Sequence, residues 1–221
     1  MSIFDPSNLQ YDSWVVLLMI VSFVCMSLTI GSDFPQVGKS VRSMFNFNNR
    51  DGQLVYAPLS LFGLLLAVIH TALSAGVFIY TLKGSGVDGF SETPARSVLS
   101  LSVVIVLFVV LKLLLYNSVN GIICRRYYMS SQHFRWASFY IMMISILGTV
   151  LLALSVMEIY LNLNVIVASV LAAVVAILLE IGTLFKLFTA FFKKKCSVLV
   201  FFIYLCALEI APCFLVWFFV R

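Results

Sequence analysis

The chain has 221 residues, 62% of them hydrophobic and only 10% charged. A soluble domain carries roughly 25% charged residues and about half apolar ones, so a water-soluble fold of this length could not hide so much apolar surface, whereas a lipid bilayer removes the need to. The net charge of +5 comes from basic residues scattered between apolar runs, which excludes a nucleic-acid partner and suits loops lying against anionic lipid.

Spanning a hydrocarbon layer about 30 Å thick takes roughly 20 apolar residues in a helix, at ~1.5 Å per residue. Six runs approach or exceed that length: 14–30, 54–82, 98–123, 136–160, 163–188 and 197–220. They predict an all-α fold, a polytopic transmembrane helical bundle of about six spans forming a single integral membrane domain over residues 1–221. Residues 1–13 hold Asp5 and Asp12 but no Lys or Arg. A cleaved signal peptide would want positive charge there, so the first run is expected to be a retained span.

After the first run, Phe34, Val37, Val41, Met44 and Phe45 recur at helical spacing, with Lys39, Arg42, Asn46 and Asn49 on the opposite side. Pro35 suits a first helical position. The segment is expected to be a short interfacial helix in the first cytoplasmic loop. The second run carries His70, followed by Thr71 and Ser74. Ser74 at i+4 from His70 is a weak dyad signal, and a core histidine is the commoner meaning. Residues 83–94 are glycine-containing and flexible. Gly84-Ser85-Gly86 has no strand before it, so it is not a phosphate loop.

On the third run Lys112, Tyr116 and Asn120 fall at i, i+4 and i+8, on one helix face. The fourth run ends near Glu158, and the connection to the fifth is so short that the two helices are expected to be antiparallel neighbours. On the fifth, Glu180 shares a face with Ala173, Ala176 and Thr183, small residues that permit close packing. Glu158 and Lys186 lie near span ends, where snorkelling accounts for them. On the sixth, Glu209 is flanked by Cys206 and Cys213 and followed by Pro212, which frees the carbonyl of Leu208.

Orientation follows the basic residues. Lys39, Arg42 and Arg50 lie in one loop, Arg125, Arg126 and Arg135 in another, and Lys193, Lys194 and Lys195 in a third. The positive-inside bias puts those loops in the cytoplasm and both termini in the periplasm.

Ionisable groups in hydrocarbon cost at least about 2.5–3.5 kcal/mol each, and so face a partner or a cavity. His70, Lys112, Glu180 and Glu209 are the candidates. Rise per residue puts Lys112 about 21 Å and Glu180 about 25 Å from their outer ends, and His70 and Glu209 nearer mid-depth. The depths pair Lys112 with Glu180 and His70 with Glu209. In matching spans of the two three-span halves, His70 also corresponds to Glu180 and Lys112 to Glu209, with mirrored depths, as in an inverted-repeat transporter, although the halves share no sequence similarity. No HExxH, GxSxG or paired intramembrane aspartates occur, so no catalytic residue is assigned. The five cysteines form no CxxC pair or zinc spacing, and Cys25, Cys206 and Cys213 read as small buried hydrophobes. No metal and no cofactor is expected.

Tyr204-Leu205-Cys206-Ala207-Leu208-Glu209-Ile210-Ala211-Pro212, together with Leu111-Lys112-Leu113-Leu114-Leu115-Tyr116 followed by Gly121, resembles a family of integral membrane proteins from Bacteroidota known as a domain of unknown function. The resemblance covers nearly the whole chain. It implies a bacterial inner-membrane location and no particular activity, with Lys112, Glu209 and Pro212 as signature positions. The expected function is a non-enzymatic one, a transporter-like protein or an accessory subunit of a membrane complex, with the bilayer and other membrane proteins as partners. The alternative is an intramembrane enzyme acting on a lipid-embedded substrate.

Overall fold

The computed structural model describes residues 13–44, 59–83, 94–123 and 130–187. Among the described residues there are five helices and no strand: α1 (Ser13–Met44), α2 (Leu61–Lys83), α3 (Pro94–Ile123), α4 (Ser130–Leu161) and α5 (Val165–Leu187). Each contains a segment long and apolar enough to cross a membrane: Ser13–Asp33, Leu61–Leu82, Arg96–Leu115, Ala137–Leu161 and Val165–Lys186. Such sequences have one way to place their backbone in hydrocarbon, which is to bond every amide within the segment. The helices match the first five predicted runs. The sixth, 197–220, lies outside the described residues.

Two boundaries differ from expectation, each for a local reason. The second span begins at Leu61 rather than at 54, because Ser60 caps it: Ser60 Oγ accepts from the Gly63 amide at 3.0 Å, and the Ser60 carbonyl from Leu64 at 2.9 Å. Residues 54–58 lie outside the described residues. The first span runs past residue 30 to Asp33, where the backbone leaves helical geometry (φ −126°, ψ 27°) before the helix resumes. Pro35 causes this break, since it lacks an amide hydrogen and its ring crowds the Gly31 carbonyl. The second piece of α1, ending at Met44, is the segment expected to form a short helix, and its backbone is helical. The side chains of Val37, Lys39, Val41, Arg42 and Met44, and Phe45 altogether, lie outside the described residues.

Helix α2 is the centre of the bundle, packed on α4, α1 and α3, while α5 leans on α4. Val15 and Met19 of α1, Val77 of α2, Val98 of α3, and Leu152 and Ile159 of α4 form one buried cluster. It joins the starts of α1 and α3 to the ends of α2 and α4, so the four helices alternate in direction. A second cluster unites Phe78 of α2 and Leu154 of α4 with Ala168 and Ala172 of α5. The α2–α4 interface is tight at Gly148. A Cβ there would lie 2.9 Å from the Thr71 Cα and 3.4 Å from His70 Nε2, so only glycine lets the backbones meet at this depth.

The α4–α5 connection is as short as expected. Asn162 turns the chain with φ 52°, a conformation asparagine tolerates well. Asn164 then caps α5, its Oδ1 accepting from the Ile166 amide at 2.9 Å. The outward faces of α1, α3 and α5 are exposed Leu, Ile, Val and Phe, as suits contact with lipid.

Candidate functional site

Among the described residues, three groupings of polar side chains stand out. The deepest is His70, whose side chain is 0% exposed. Its Nδ1 lies 2.9 Å from the Ser22 carbonyl and 2.9 Å from Ser22 Oγ. A carbonyl only accepts, so Nδ1 carries a proton. Ser22 Oγ is also 2.7 Å from Ser74 Oγ and 3.2 Å from the His70 carbonyl. If Ser74 donates to Ser22 and Ser22 to the His70 carbonyl, every proton in this knot has an acceptor. On the other edge of the ring, Nε2 lies 3.2 Å from Thr149 Oγ1 on α4, and Thr149 Oγ1 is 3.0 Å from the Ser145 carbonyl. The Thr149 hydroxyl can donate to Nε2 of a neutral ring. In the other rotamer the same proton goes to the Ser145 carbonyl of its own helix.

The second place is the break in α1. Asp33 Oδ2 accepts from Ser60 Oγ at 2.8 Å, the Ser60 amide at 3.2 Å and Ser32 Oγ at 3.4 Å. The carboxylate therefore sits at the start of α2, where the helix dipole favours negative charge. Gly63 makes room for it, because a Cβ there would collide with Asp33 Oδ2.

The third is the expected ion pair. Lys112 Nζ on α3 is 3.1 Å from Glu180 Oε1 on α5, with side-chain exposures of 8% and 39%. The ammonium also lies 5.1 Å from the centre of the Tyr140 ring on α4, within reach of the ring's negative face. Tyr116 and Asn120 continue the helix beyond Lys112, but their side chains lie outside the described residues. So do Glu209 and Pro212, which leaves the His70–Glu209 pairing and the inverted-repeat pattern without a structural counterpart. Arg125, Arg126, Lys193, Lys194 and Lys195 lie outside as well. Of the predicted buried groups, then, the structure brings Lys112 to Glu180 and surrounds His70 with hydroxyls.

Depth along the helix gave no sign that the side chains of Glu158 and Lys186, near their span ends, are buried. Sequence reasoning also missed Ser22, Thr149, Asp33 and Ser60. A serine or threonine in an apolar run normally bonds its own helix, as Thr71 does to the Ala67 carbonyl at 2.8 Å, and so gives no pattern that marks a partner. Asp33 did carry a signal, a carboxylate two residues before a helix-breaking proline.

Residues 13–220 match the model of a family described as a domain of unknown function, DUF4271. The chain belongs to the DUF4271 family. The match spans all five described helices and the sixth apolar run, so the polar groups above lie within the family's own domain. No curated protein and no solved structure matches the chain. Among the described residues of this DUF4271 domain, no group of three or more His, Cys, Asp or Glu side chains is placed to hold a metal ion.

Proposed function

We propose that this chain is a non-enzymatic multi-pass protein of a bacterial inner membrane, with both termini periplasmic, and that it serves as an accessory subunit of a membrane complex. The observation that carries this reading is the sealed His70 knot. Ser22, His70 and Ser74 are all fully buried, and their hydrogen bonds are satisfied by α1, α2 and α4 alone. Nearby, between Met26, Thr29, Ala67, Met142 and Ser145, a cavity of ≈ 20 Å³ remains, about enough for one water molecule. Polar groups that are closed off and mutually satisfied fix helix register and do not conduct a substrate. The exposed apolar surface of α5, on which Gly182 has open space above it among the described residues, suits contact with lipid or another membrane protein.

The Ser22–His70 contact offers little to the enzyme alternative. Nδ1 already donates to a carbonyl, so it is no base toward the Ser22 hydroxyl. A transporter-like role keeps one specific support. Glu180 is partly exposed while its partner Lys112 is buried, so one member of this ion pair remains open to a substrate or proton.

The test is purification from native membrane in mild detergent, with identification of bound protein and lipid. A stoichiometric protein partner is expected. A particle containing this chain and lipid alone rejects the accessory role. Reporter fusions after Arg50, Arg126 and Lys195 should report cytoplasm, and those after Gly86 and Arg221 periplasm. Termini on opposite sides would overturn the orientation.

A further inference from the structure

Lys112 and Glu180 meet across a gap. Among the described residues α5 packs on α4 and shares little contact with α3. Yet Lys112 Nζ reaches Glu180 Oε1 at 3.1 Å and lies 5.1 Å from the centre of the Tyr140 ring on α4. Two long side chains therefore bridge a groove with α3 and α5 as its walls and α4 as its floor.

The burial pattern shows which side of each wall faces this groove. At about 100° per residue, Ala173 and Ala176 lie on the Glu180 side of α5, exposed and half-buried. Ala168 and Ala172 lie about a quarter-turn or more from Glu180 and pack on Leu154 of α4, so the Glu180 side is a flank of the helix. On α3, Phe108 and Leu115 share the Lys112 side, half-buried and exposed, whereas Val98 is packed in the core. The opposite flank of α5 carries Val167, Leu171 and Leu178, all exposed.

We propose that the groove between α3 and α5 seats residues 197–220 of the same chain, the sixth apolar run, which lies outside the described residues. Helix α5 ends at Leu187, and nine residues, 188–196, lead to the run. They reach about 30 Å at most, so the run starts within a few helix diameters of that end and passes back antiparallel to α5. Both flanks of α5 are within reach, and charge chooses between them. Glu209 is the one Asp, Glu, Lys or Arg in the run, and a carboxylate within hydrocarbon needs a partner. Among the described residues the Val167 flank offers none, whereas the groove holds the Lys112 ammonium. Counted from the Leu187 end, Glu180 lies about 10.5 Å deep and Glu209 about 18 Å. A lysine and a glutamate side chain together cover that offset. Ala173 and Ala176 also let a further helix come close.

Site-directed photo-crosslinking of the full-length protein in native membranes tests this. The photoreactive residue p-benzoylphenylalanine is placed singly at Phe108, at Leu115 and, as the control, at Leu178. Illumination joins the benzophenone to a neighbouring C–H bond, and peptide mass spectrometry identifies what it joined. From Phe108 and Leu115 the expected product is an adduct to a peptide within 197–220, running at monomer mass on a denaturing gel. The same adduct should be scarce from Leu178. Two groove positions keep the test decisive where one variant fails to accumulate. Adducts from the groove to lipid alone, to another protein, or to a second copy at dimer mass overturn the proposal. So does an adduct to 197–220 that forms equally well from Leu178, which would put the run on the other flank.

Discussion

Lys112 Nζ and Glu180 Oε1 lie 3.1 Å apart across two helices, α3 and α5, that share little other contact. The lysine crosses the face of Tyr140 on α4 to reach its partner. One side-chain pair thus ties the outermost described helix to the far side of the bundle.

Lys112→Met should lower the thermal stability of the detergent-solubilised protein. The cost should be roughly 1–3 kcal/mol, between that of a fully buried and an exposed pair, since Glu180 is partly solvated or lipid-facing. Lys112→Met with Glu180→Gln should recover much of the loss. Thermal unfolding followed by size-exclusion chromatography reads both. A double variant no better than Lys112→Met removes the structural role of the pair.

Gly148→Ala should separate α2 from α4, because the new Cβ would meet backbone, the Thr71 Cα at 2.9 Å. Overpacking of this kind costs about 1–3 kcal/mol. Gly31→Ala is the matched control. It has nothing within 4 Å, and replacing a helical glycine there should be neutral or stabilising by up to about 1 kcal/mol. Equal melting shifts in the two variants would refute the close-approach role.

Much of this architecture is legible in the sequence, and the reasons for success and failure are physical. Hydropathy and rise per residue act along the helix axis, so run lengths gave five of the helices and depth alone matched Lys112 with Glu180. Rotation about the axis and the choice of neighbouring helix are invisible to both. Depth put Glu158 near a span end, but only the fold shows that its side chain is buried. His70 was recognisable as a buried histidine, yet Ser22 and Thr149 lie in other helices at positions that any self-bonded hydroxyl could occupy.

Thr149→Val and Thr71→Val should behave differently, although both remove a helical hydroxyl beside His70. Thr149 serves the imidazole on another helix, whereas Thr71 bonds its own helix. Loss of the Thr149 hydroxyl should cost about 1–3 kcal/mol, the penalty for stranding a buried polar group. Thr71→Val should cost distinctly less. A reversed order in thermal unfolding would show that Nε2 does not depend on Thr149.

Asp33→Ala should destabilise by roughly 1–3 kcal/mol, since it strands the Ser60 hydroxyl and amide at the start of α2. Ser60→Ala should cost about 0.5–2 kcal/mol. The two should be markedly less than additive, because they delete the same contact. Additive losses in a double-variant cycle would mean that each residue acts alone.

The His70 knot also bears on how the chain enters the membrane during synthesis. Ser22 lies 48 residues upstream of His70 and is made first. When α2 leaves the ribosome, the hydroxyl and carbonyl that satisfy Nδ1 already exist on the neighbouring segment. The imidazole can therefore be lowered into lipid as half of an α1–α2 hairpin instead of alone, which spares it much of the solvation penalty of an isolated polar helix. Thr149 follows 79 residues after His70. Until α4 is made, Nε2 is the edge of the ring without that hydroxyl, and an α1–α2 hairpin would present it to the incoming helix.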